Sequence, residues 1–295
     1  MTDYGHDLRF GSFVTPSNAD PQHTVALAVA SERAGLDLVS FQDHPYQPRF
    51  LDTWTLLSYV AARTERVQLA PNVLNLPLRP PAVVARAAAS LDLLSGGRFE
   101  LGLGSGAFWD AIEAMGGRRL APAEAVASVR DAIGVMRGIW DVDAGKVLRV
   151  DGAVHAVHGA KRGPRPAHAI GIWLGAYKPR MLRLTGEMAD GWLPSLGGWD
   201  SLHDLAAANA LIDDAATAAG RRPADVRRLL NIGALGGEPR ADLPRTPIQM
   251  LTSLALEHGF STFVLASDDA DELARYGQEI APAVRELVAA GRTQP

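Results

Sequence analysis

Two neighbouring side chains capable of acid–base chemistry follow a short apolar segment near the N-terminus. Asp43 and His44 come shortly after DLVSF at 37–41, a run typical of a buried strand. The imidazole of His44 titrates near neutral pH, so it can donate to a developing charge or shuttle a proton. Two structural alternatives stay open: Asp43 caps the following segment, and His44 is bonded to a loop carbonyl.

A glycine-rich turn, LGLGSG, follows another strand-like segment further along the chain. Its residues Gly102 and Gly104, with Ala107, fit the pattern G-x-G-x-x-A. A dinucleotide-binding fold places this turn after the first strand of a βαβ unit, with an acidic residue about 20 positions on, at the end of the next strand. Here the turn follows the fourth predicted strand, and Glu124 and Asp131 lie inside the next predicted helix. The sequence therefore disfavours a dinucleotide-binding turn.

The elements that position these residues alternate along the chain. Short β-branched and aromatic runs are separated by segments with helical spacing, such as PPAVVARAAASLDLLSGG, and each helix leads into the next strand through a short turn. Eight strand–helix units of this kind predict an α/β fold, a (β/α)8 TIM barrel that spans 1–295 as a single domain. The predicted strands lie at 9–14, 37–41, 67–73, 98–103, 170–174, 190–194, 229–235 and 262–266.

One irregular gap interrupts the repeat at about 141–169. We interpret it as an insertion between the fourth helix and the fifth strand. Its segment VLRVDGAVHAV predicts a β-hairpin around Asp151 and Gly152. Because it is rich in glycine and proline and is expected beside the barrel mouth, it is a candidate lid.

Composition excludes several classes of protein. The net charge of −4 gives no global electrostatic reason to bind nucleic acid or an anionic membrane. No apolar run reaches the roughly 18 to 20 residues of a membrane span, and no secretory signal is evident. The absence of cysteine excludes disulfides and fits a cytoplasmic enzyme. The spacing of His155, His158 and His168 matches no metal-site template, so no metal is expected.

In a barrel, the functional groups come from the carboxyl ends of the strands and the loops that follow them. Here those positions combine few polar groups with many small or apolar residues, which suits a large flat ligand held by backbone contacts. They include Phe13, Asp43, His44, Asn72, Val73, Gly104, Ser105, Gly106, Gly175, Ala176, Tyr177 and Lys178.

Two of these turns lead into predicted helices and could bind an anion through free N–H groups. One is Gly104–Gly106; the other is Gly175–Tyr177, before the helix that starts near Pro179. Lys178 or Arg180 could add charge at the second turn. The alternative is a tight turn with solvated basic residues.

Four segments together resemble the bacterial-luciferase-like flavin and deazaflavin oxidoreductases. They are ERAGLDLVSFQDH, LAPNVLNLPLRPPAVVARAAASLDLLSGGRFELGLGSGAFWDAI, WLGAYKPRMLRLTGEMADGWLPS and EHGFSTFVL. The resemblance covers almost the whole chain. It implies a (β/α)8 barrel, usually in a homodimer, that binds FMN or the deazaflavin coenzyme F-420 at its mouth.

Finer features resemble the F-420-dependent branch. FQDHPYQP resembles the second strand end of that branch, where the Asp contacts the polar edge of the ring and the His lies near its reactive carbon. PNVLNLPLRPP resembles its third strand, where a non-prolyl cis peptide, here aligned with Asn72-Val73, supports the ring. The resemblance assigns the cofactor phosphate mainly to 175–180, which includes Pro179, and a cofactor wall to Gly104 through Ala107.

The sequence departs from the better-known deazaflavin-dependent sugar-phosphate dehydrogenases at one position. Those enzymes carry a glutamate proton donor directly after the glycine loop, where this chain has Ala107. The sequence therefore puts the oxidation of sugar phosphates by this chain in doubt. We expect Trp109 to line the substrate pocket with Phe13, the alternative being core packing. Asp110 is expected to stabilise a helix N-terminus rather than replace the missing acid.

These observations lead to three hypotheses. The first is an oxidoreductase that transfers a hydride between coenzyme F-420 and a small organic substrate, with His44 as the catalytic group. The second is an FMN-dependent monooxygenase supplied by a separate flavin reductase. The third is a flavin-binding barrel without catalysis. The sequence does not identify the substrate.

Overall fold

The computed structural model describes residues 3–235 and 241–293. Strands and helices alternate through these residues. The strands are β1 (Arg9–Val14), β2 (Leu38–Phe41), β3 (Gln68–Pro71), β4 (Leu74–Asn75), β5 (Leu101–Gly104), β6 (Val147–Asp151), β7 (Ala156–Lys161), β8 (Ile172–Leu174), β9 (Gly191–Trp192), β10 (Arg227–Ile232) and β11 (Thr262–Ala266). The α-helices are α1 (Pro21–Arg33), α2 (Thr53–Ala61), α3 (Pro81–Ser95), α4 (Trp109–Ala114), α5 (Pro122–Trp140), α6 (Pro179–Met188), α7 (Leu202–Ala218), α8 (Pro247–Leu256), α9 (Ala270–Arg275) and α10 (Ala281–Thr293).

Nine of the strands form one parallel sheet that curls into a barrel. Their order is β3-β2-β1-β11-β10-β9-β8-β5-β4. β3 and β4 are two parts of one strand, and a parallel bridge between Leu69 and Phe99 joins β3 to the residues before β5, which brings the two ends of the sheet together. The predicted (β/α)8 barrel is confirmed, with its third strand divided in two.

Local sequence signals start and end the barrel helices. Asp20 and Asp52 accept hydrogen bonds from backbone N–H groups in the first turns of α1 and α2. α3 ends at Gly96, whose φ of 72° is the left-handed conformation that glycine adopts at helix ends. These helices pack buried apolar faces on the sheet, which leaves the carboxyl ends of the strands open. No helix in the described ranges is long and apolar enough to cross a membrane.

The irregular segment between α5 and β8 contains the antiparallel pair β6 and β7, which lies outside the barrel sheet. The pair packs against the helices: Leu148 fills the space beside Gly138, the His155 ring lies 2.8 Å from the Ser128 hydroxyl, and Arg86 donates to the Gly163 carbonyl. The prediction of a lid receives no support, because none of these contacts lies at the cavity described below.

A buried ionic cluster holds the opposite, N-terminal ends of the strands. The His168 ring lies 2.8 Å from a carboxylate oxygen of the fully buried Asp92 and 3.5 Å from Glu100. The neighbouring Glu100 and Asp92 carboxylates, which favour the protonated imidazole, raise the pKa of His168. His168 therefore links the segment before β8 to α3 and β5.

We expect His168→Ala to destabilise the fold in a pH-dependent manner. Since folding raises the pKa of His168, its contribution is fully present below the unfolded-state pKa near 6.5 and declines as pH rises through the folded-state value. Leaving Asp92 buried without its partner should cost about 3 kcal/mol at pH 6. Urea unfolding at pH 6 and pH 9 measures the difference. An equal loss at both pH values would contradict the ionic role.

Candidate active site

The carboxyl ends of the barrel strands open into a cavity of about 1570 Å³. All of the site residues predicted from the sequence line it, except Ala176. They are Phe13, Asp43, His44, Asn72, Val73, Gly104, Ser105, Gly106, Ala107, Trp109, Gly175, Tyr177, Lys178, Pro179 and Arg180. The barrel thus brings together residues that are up to 167 positions apart, from Phe13 to Arg180.

Ala176 faces away from this cavity. It is 1% exposed, and its carbonyl accepts a hydrogen bond of 2.9 Å from the indole N–H of Trp192. Its side chain therefore packs in the core, and the predicted contact between Ala176 and a cofactor receives no support.

A bulge divides the third strand at the cavity floor. The peptide bond between Asn72 and Val73 is cis, as the resemblance implied. Val73 projects toward β5, where a Cβ atom on Gly104 would lie 2.7 Å from the Val73 side chain, and one on Gly102 would lie 2.2 Å from the Pro71 carbonyl oxygen. The glycines of LGLGSG thus accommodate the neighbouring strand.

Asp43 forms a buried ion pair. Its carboxylate accepts two hydrogen bonds from the Arg79 guanidinium, at 2.8 and 2.9 Å, and one of 2.9 Å from the backbone N–H of Asn75. Arg79 also binds Asp52, the residue that caps α2. Asp43 therefore ties the second strand end to the segment after the bulge, which is neither of the two roles considered from the sequence.

His44 extends from the same strand end into a cluster of aromatic rings. Its imidazole stacks on Tyr46 with ring centroids 5.3 Å apart and on Phe50 at 6.4 Å, and it meets the edge of Phe108 at 5.4 Å. Burial lowers the pKa of His44, and the nearby Asp43 carboxylate only partly offsets this effect. The imidazole is therefore neutral at pH 7 and available to accept a proton.

A polar network crosses the barrel beneath the cavity. The side-chain amides of Asn72 and Asn231 exchange two hydrogen bonds, of 2.7 and 3.0 Å. Ser40 and Ser195 extend the network on either side, at 3.2 and 3.4 Å. This network holds the Asn72 side chain, next to the bulge, in one orientation and makes the floor of the cavity rigid.

Asn75 presents an unsatisfied acceptor. The residue lines the cavity and is 6% exposed, and its Oδ1 atom has no hydrogen-bond partner within the described ranges. A buried acceptor without a partner costs free energy, so this atom offers an acceptor to a group in the cavity that donates an N–H or O–H.

The α6 N-terminus supplies positive charge to the opposite wall. Lys178, the residue before the helix, makes no side-chain cap, so the N–H of Arg180 points outward without a capping oxygen. Lys178, Arg180 and Arg183 are exposed and line the cavity. A helix N-terminus with three cations favours an anionic group such as a phosphate.

The other predicted anion turn is less suited to this task. α4 spans only Trp109–Ala114 and begins several residues after Gly104, while the space beside Gly104 is filled by Val73. Trp109 is half-buried and lines the cavity, as expected. Asp110 points away, is almost fully exposed and pairs with Arg119, so it does not replace the acid missing at Ala107.

Several lining residues were missed by the sequence analysis, among them Tyr46, Asn75, Phe108, Arg183 and Asn231. Two of them carried a usable signal. Asn231 is a polar residue inside the apolar strand segment LLNIG, and Arg183 lies three positions after Arg180, on the same face of α6. The others depend on loop conformations that no periodic pattern describes.

A parallel barrel with a large cavity at the carboxyl ends of its strands, lined by a histidine and by a cationic helix start, is typical of cofactor-binding α/β enzymes. The family model described as luciferase-like monooxygenase matches residues 8–293. The chain therefore belongs to the luciferase-like monooxygenase family.

Comparisons with individual proteins agree with this assignment. An F420-dependent glucose-6-phosphate dehydrogenase of Nocardia farcinica is 30% identical, over 86% of this chain and 77% of the relative. One from Kineococcus radiotolerans is 29% identical, over 94% and 81%. Among solved structures, an F420-dependent secondary alcohol dehydrogenase in complex with an F420-acetone adduct has a TM-score of 0.80 at 18% identity, covering 95% of this chain and 99% of that one, and so matches in fold.

Proposed function

We propose that the protein is an oxidoreductase that transfers a hydride between coenzyme F-420 and a small organic substrate. The observation that carries the proposal is a neutral histidine in an aromatic cluster on one wall of a cavity whose other wall is a cationic helix start. The curated relatives named above are F420-dependent enzymes and support the choice of coenzyme.

The cavity fits such a coenzyme. Val73 at the bulge and the neighbouring Gly175 offer an apolar wall to a ring system. The Asn75 Oδ1 atom supplies an acceptor for a ring donor, and Arg180 supplies charge for the phosphate. When bound, coenzyme F-420 accepts or donates a hydride and, unlike a flavin, lacks the nitrogen at position five at which an oxygen adduct forms.

The chain's own residues supply acid–base chemistry and orientation. In the direction of alcohol oxidation, the His44 imidazole would accept the proton of the substrate hydroxyl, and bound coenzyme F-420 would supply the acceptor for the hydride of the carbinol carbon, so that the alcohol would lose two electrons and become a carbonyl compound. Asp43 acts as a positioning residue, because its ion pair with Arg79 holds the strand end from which His44 extends.

We expect the pH profile of alcohol oxidation to report His44. Since folding lowers the pKa of His44 and only the neutral imidazole accepts a proton, kcat/KM should fall as the solution is acidified, with an apparent pKa below the ordinary 6.5. Initial rates from pH 4.5 to 8 measure this limb, and His44→Asn should remove it. If kcat/KM fell with an apparent pKa above 7, both in the natural protein and in His44→Asn, His44 would not be the proton acceptor.

The cationic wall makes a second prediction. Arg180→Ala and Arg183→Ala should each weaken coenzyme binding roughly 10-fold and reduce its sensitivity to salt, because each removes one charge facing the phosphate. Fluorescence titrations at 20 and 200 mM NaCl measure both effects. Arg149→Ala, which removes an exposed arginine on β6, is the matched control. Equal affinities in all three variants would exclude the α6 start as the phosphate site.

Titrating the purified protein separately with F-420 and FMN tests the choice of coenzyme. The proposal predicts micromolar or tighter binding of F-420 and at least 10-fold weaker binding of FMN. Tight FMN binding without affinity for F-420 would instead favour a monooxygenase supplied by a flavin reductase. Binding of F-420 without turnover on any alcohol or carbonyl would favour a non-catalytic barrel.

A further inference from the structure

The aromatic cluster beside His44 constrains the substrate as well as the histidine. The Phe108 and His44 rings meet edge to face, the Phe108 ring centroid lies 5.9 Å from that of Tyr46, and Phe108 is 58% exposed and lines the cavity. A phenyl ring so exposed next to a proton acceptor offers apolar contact to whatever molecule His44 deprotonates. Tyr46 and Phe108 thus supply apolar surface of the cavity beside the His44 ring.

Two arginines at or near the cavity are paired with carboxylates of the protein. Arg119 lines the cavity but is paired with Asp110 and Glu113. Arg79, which follows the bulge, is held by Asp43 and Asp52. Both arginines therefore already have carboxylate partners, and Arg79 is not among the residues that line the cavity.

The remaining cations of the described cavity wall form one group. Lys178, Arg180 and Arg183 lie within a single helical turn and a half, and they have no ion-pair partner in the described ranges. A coenzyme phosphate bound there uses this group. A phosphorylated sugar would bring a further phosphate with up to two negative charges, and the structure offers no second set of unpaired cations among the described lining residues to receive it.

Taking the proposed coenzyme as given, we infer that the substrate is an uncharged alcohol with an apolar carbon skeleton, oxidised to the corresponding carbonyl compound, rather than a sugar phosphate. Tyr46 and Phe108 bind the skeleton, and His44 takes the hydroxyl proton. The carbon–hydrogen bond breaks as its electron pair leaves with the hydride for the oxidised coenzyme, and the reverse reaction reduces the carbonyl.

Substrate competition tests this inference on the coenzyme-loaded protein. Coenzyme reduction is measured with cyclohexanol, 1-phenylethanol, glucose and glucose 6-phosphate, and acetophenone binding is measured by its effect on coenzyme fluorescence. We expect kcat/KM for the better neutral apolar alcohol to exceed that for glucose 6-phosphate at least 100-fold. Phe108→Ala should raise KM for that alcohol at least 5-fold without changing coenzyme affinity, whereas Leu94→Ala, which removes an exposed side chain of α3, should change neither.

The outcomes separate this inference from the proposed function. Preferred turnover of glucose 6-phosphate would overturn the inference and leave F-420-dependent hydride transfer intact. Tight coenzyme binding with neither turnover nor binding of the neutral compounds would also overturn it. An identical KM in Phe108→Ala and Leu94→Ala would refute the role of Phe108. Failure of the protein to bind F-420 at all would refute the proposed function itself.

Discussion

His44→Ala is expected to lower the kcat of coenzyme reduction by roughly 10² to 10⁴-fold, the contribution of a positioned proton acceptor. Coenzyme affinity should change less than about 3-fold, because the groups that we propose to hold the coenzyme lie elsewhere, at Asn75 and the α6 start. Single-turnover kinetics with saturating coenzyme, together with a fluorescence titration, measure the two quantities separately.

The matched control for this variant is His158→Ala. His158 is an exposed histidine on β7, remote from the cavity lining, so its removal should leave both kcat and affinity unchanged. Unchanged turnover in His44→Ala would remove His44 from the mechanism. Loss of coenzyme binding in that variant would instead assign His44 to the cofactor site.

Gly102→Ala is expected to cause the largest loss of stability in the barrel. The added Cβ atom would lie 2.2 Å from the carbonyl oxygen of Pro71, a backbone atom at the end of β3 that has no flexible side chain through which to yield. Relieving this overlap would force β3 and β5 apart where the barrel closes, at a cost of about 3 kcal/mol or more. Urea denaturation followed by circular dichroism measures the change.

Gly134→Ala provides the control, since Gly134 lies in α5 and an added methyl group there meets no atom within 4 Å. Replacing glycine by alanine inside a helix should raise stability by up to about 1 kcal/mol. If Gly102→Ala were as stable as the natural protein, the close packing of the third strand bulge against β5 would be wrong. Insoluble Gly102→Ala protein beside soluble Gly134→Ala would agree with the predicted clash.

The barrel itself was predictable from the sequence because its signals are local and repeated. Strand–helix units with apolar strand segments and helical spacing recur eight times, and each of them independently predicts the same strand–helix pair. The cis bond at Asn72-Val73 came from the resemblance of PNVLNLPLRPP to a family and not from any propensity. The hairpin of β6 and β7 was likewise evident, but its packing against α5 rather than over the cavity was not.

The partners of the site residues were beyond sequence reasoning. Asp43 and Arg79 are 36 positions apart in the sequence, and Asn72 and Asn231 are 159 apart. No periodic pattern in the sequence reveals either contact. Their contacts decide what the residues do. The Asp43 carboxylate is engaged by an arginine, and the Asn72 amide is held by another amide, whereas the Asn75 oxygen, which no motif singled out, stays available at the cavity wall.

The glycines of LGLGSG illustrate how structure changed an interpretation. From the sequence, their small size suggested close approach of a cofactor to strand β5. In the fold, the space beside Gly102 and Gly104 is occupied by Pro71 and Val73 of the neighbouring strand. The glycines therefore shape the cavity indirectly. They leave room for the bulge, and the Val73 side chain of that bulge lines the cavity.

Transfer of an isotopic label tests the central claim most directly. The protein, loaded with oxidised F-420 under anaerobic conditions, is mixed with the better neutral alcohol carrying deuterium at its carbinol carbon, and the reduced coenzyme is analysed by mass spectrometry. Direct hydride transfer predicts one carbon-bound deuterium in each reduced coenzyme molecule, and no carbon-bound deuterium when the label is supplied as D₂O beside unlabelled alcohol and the exchangeable positions are returned to H₂O before analysis. Reduced coenzyme without substrate-derived deuterium, or product formation only with FMN and oxygen, would contradict the account.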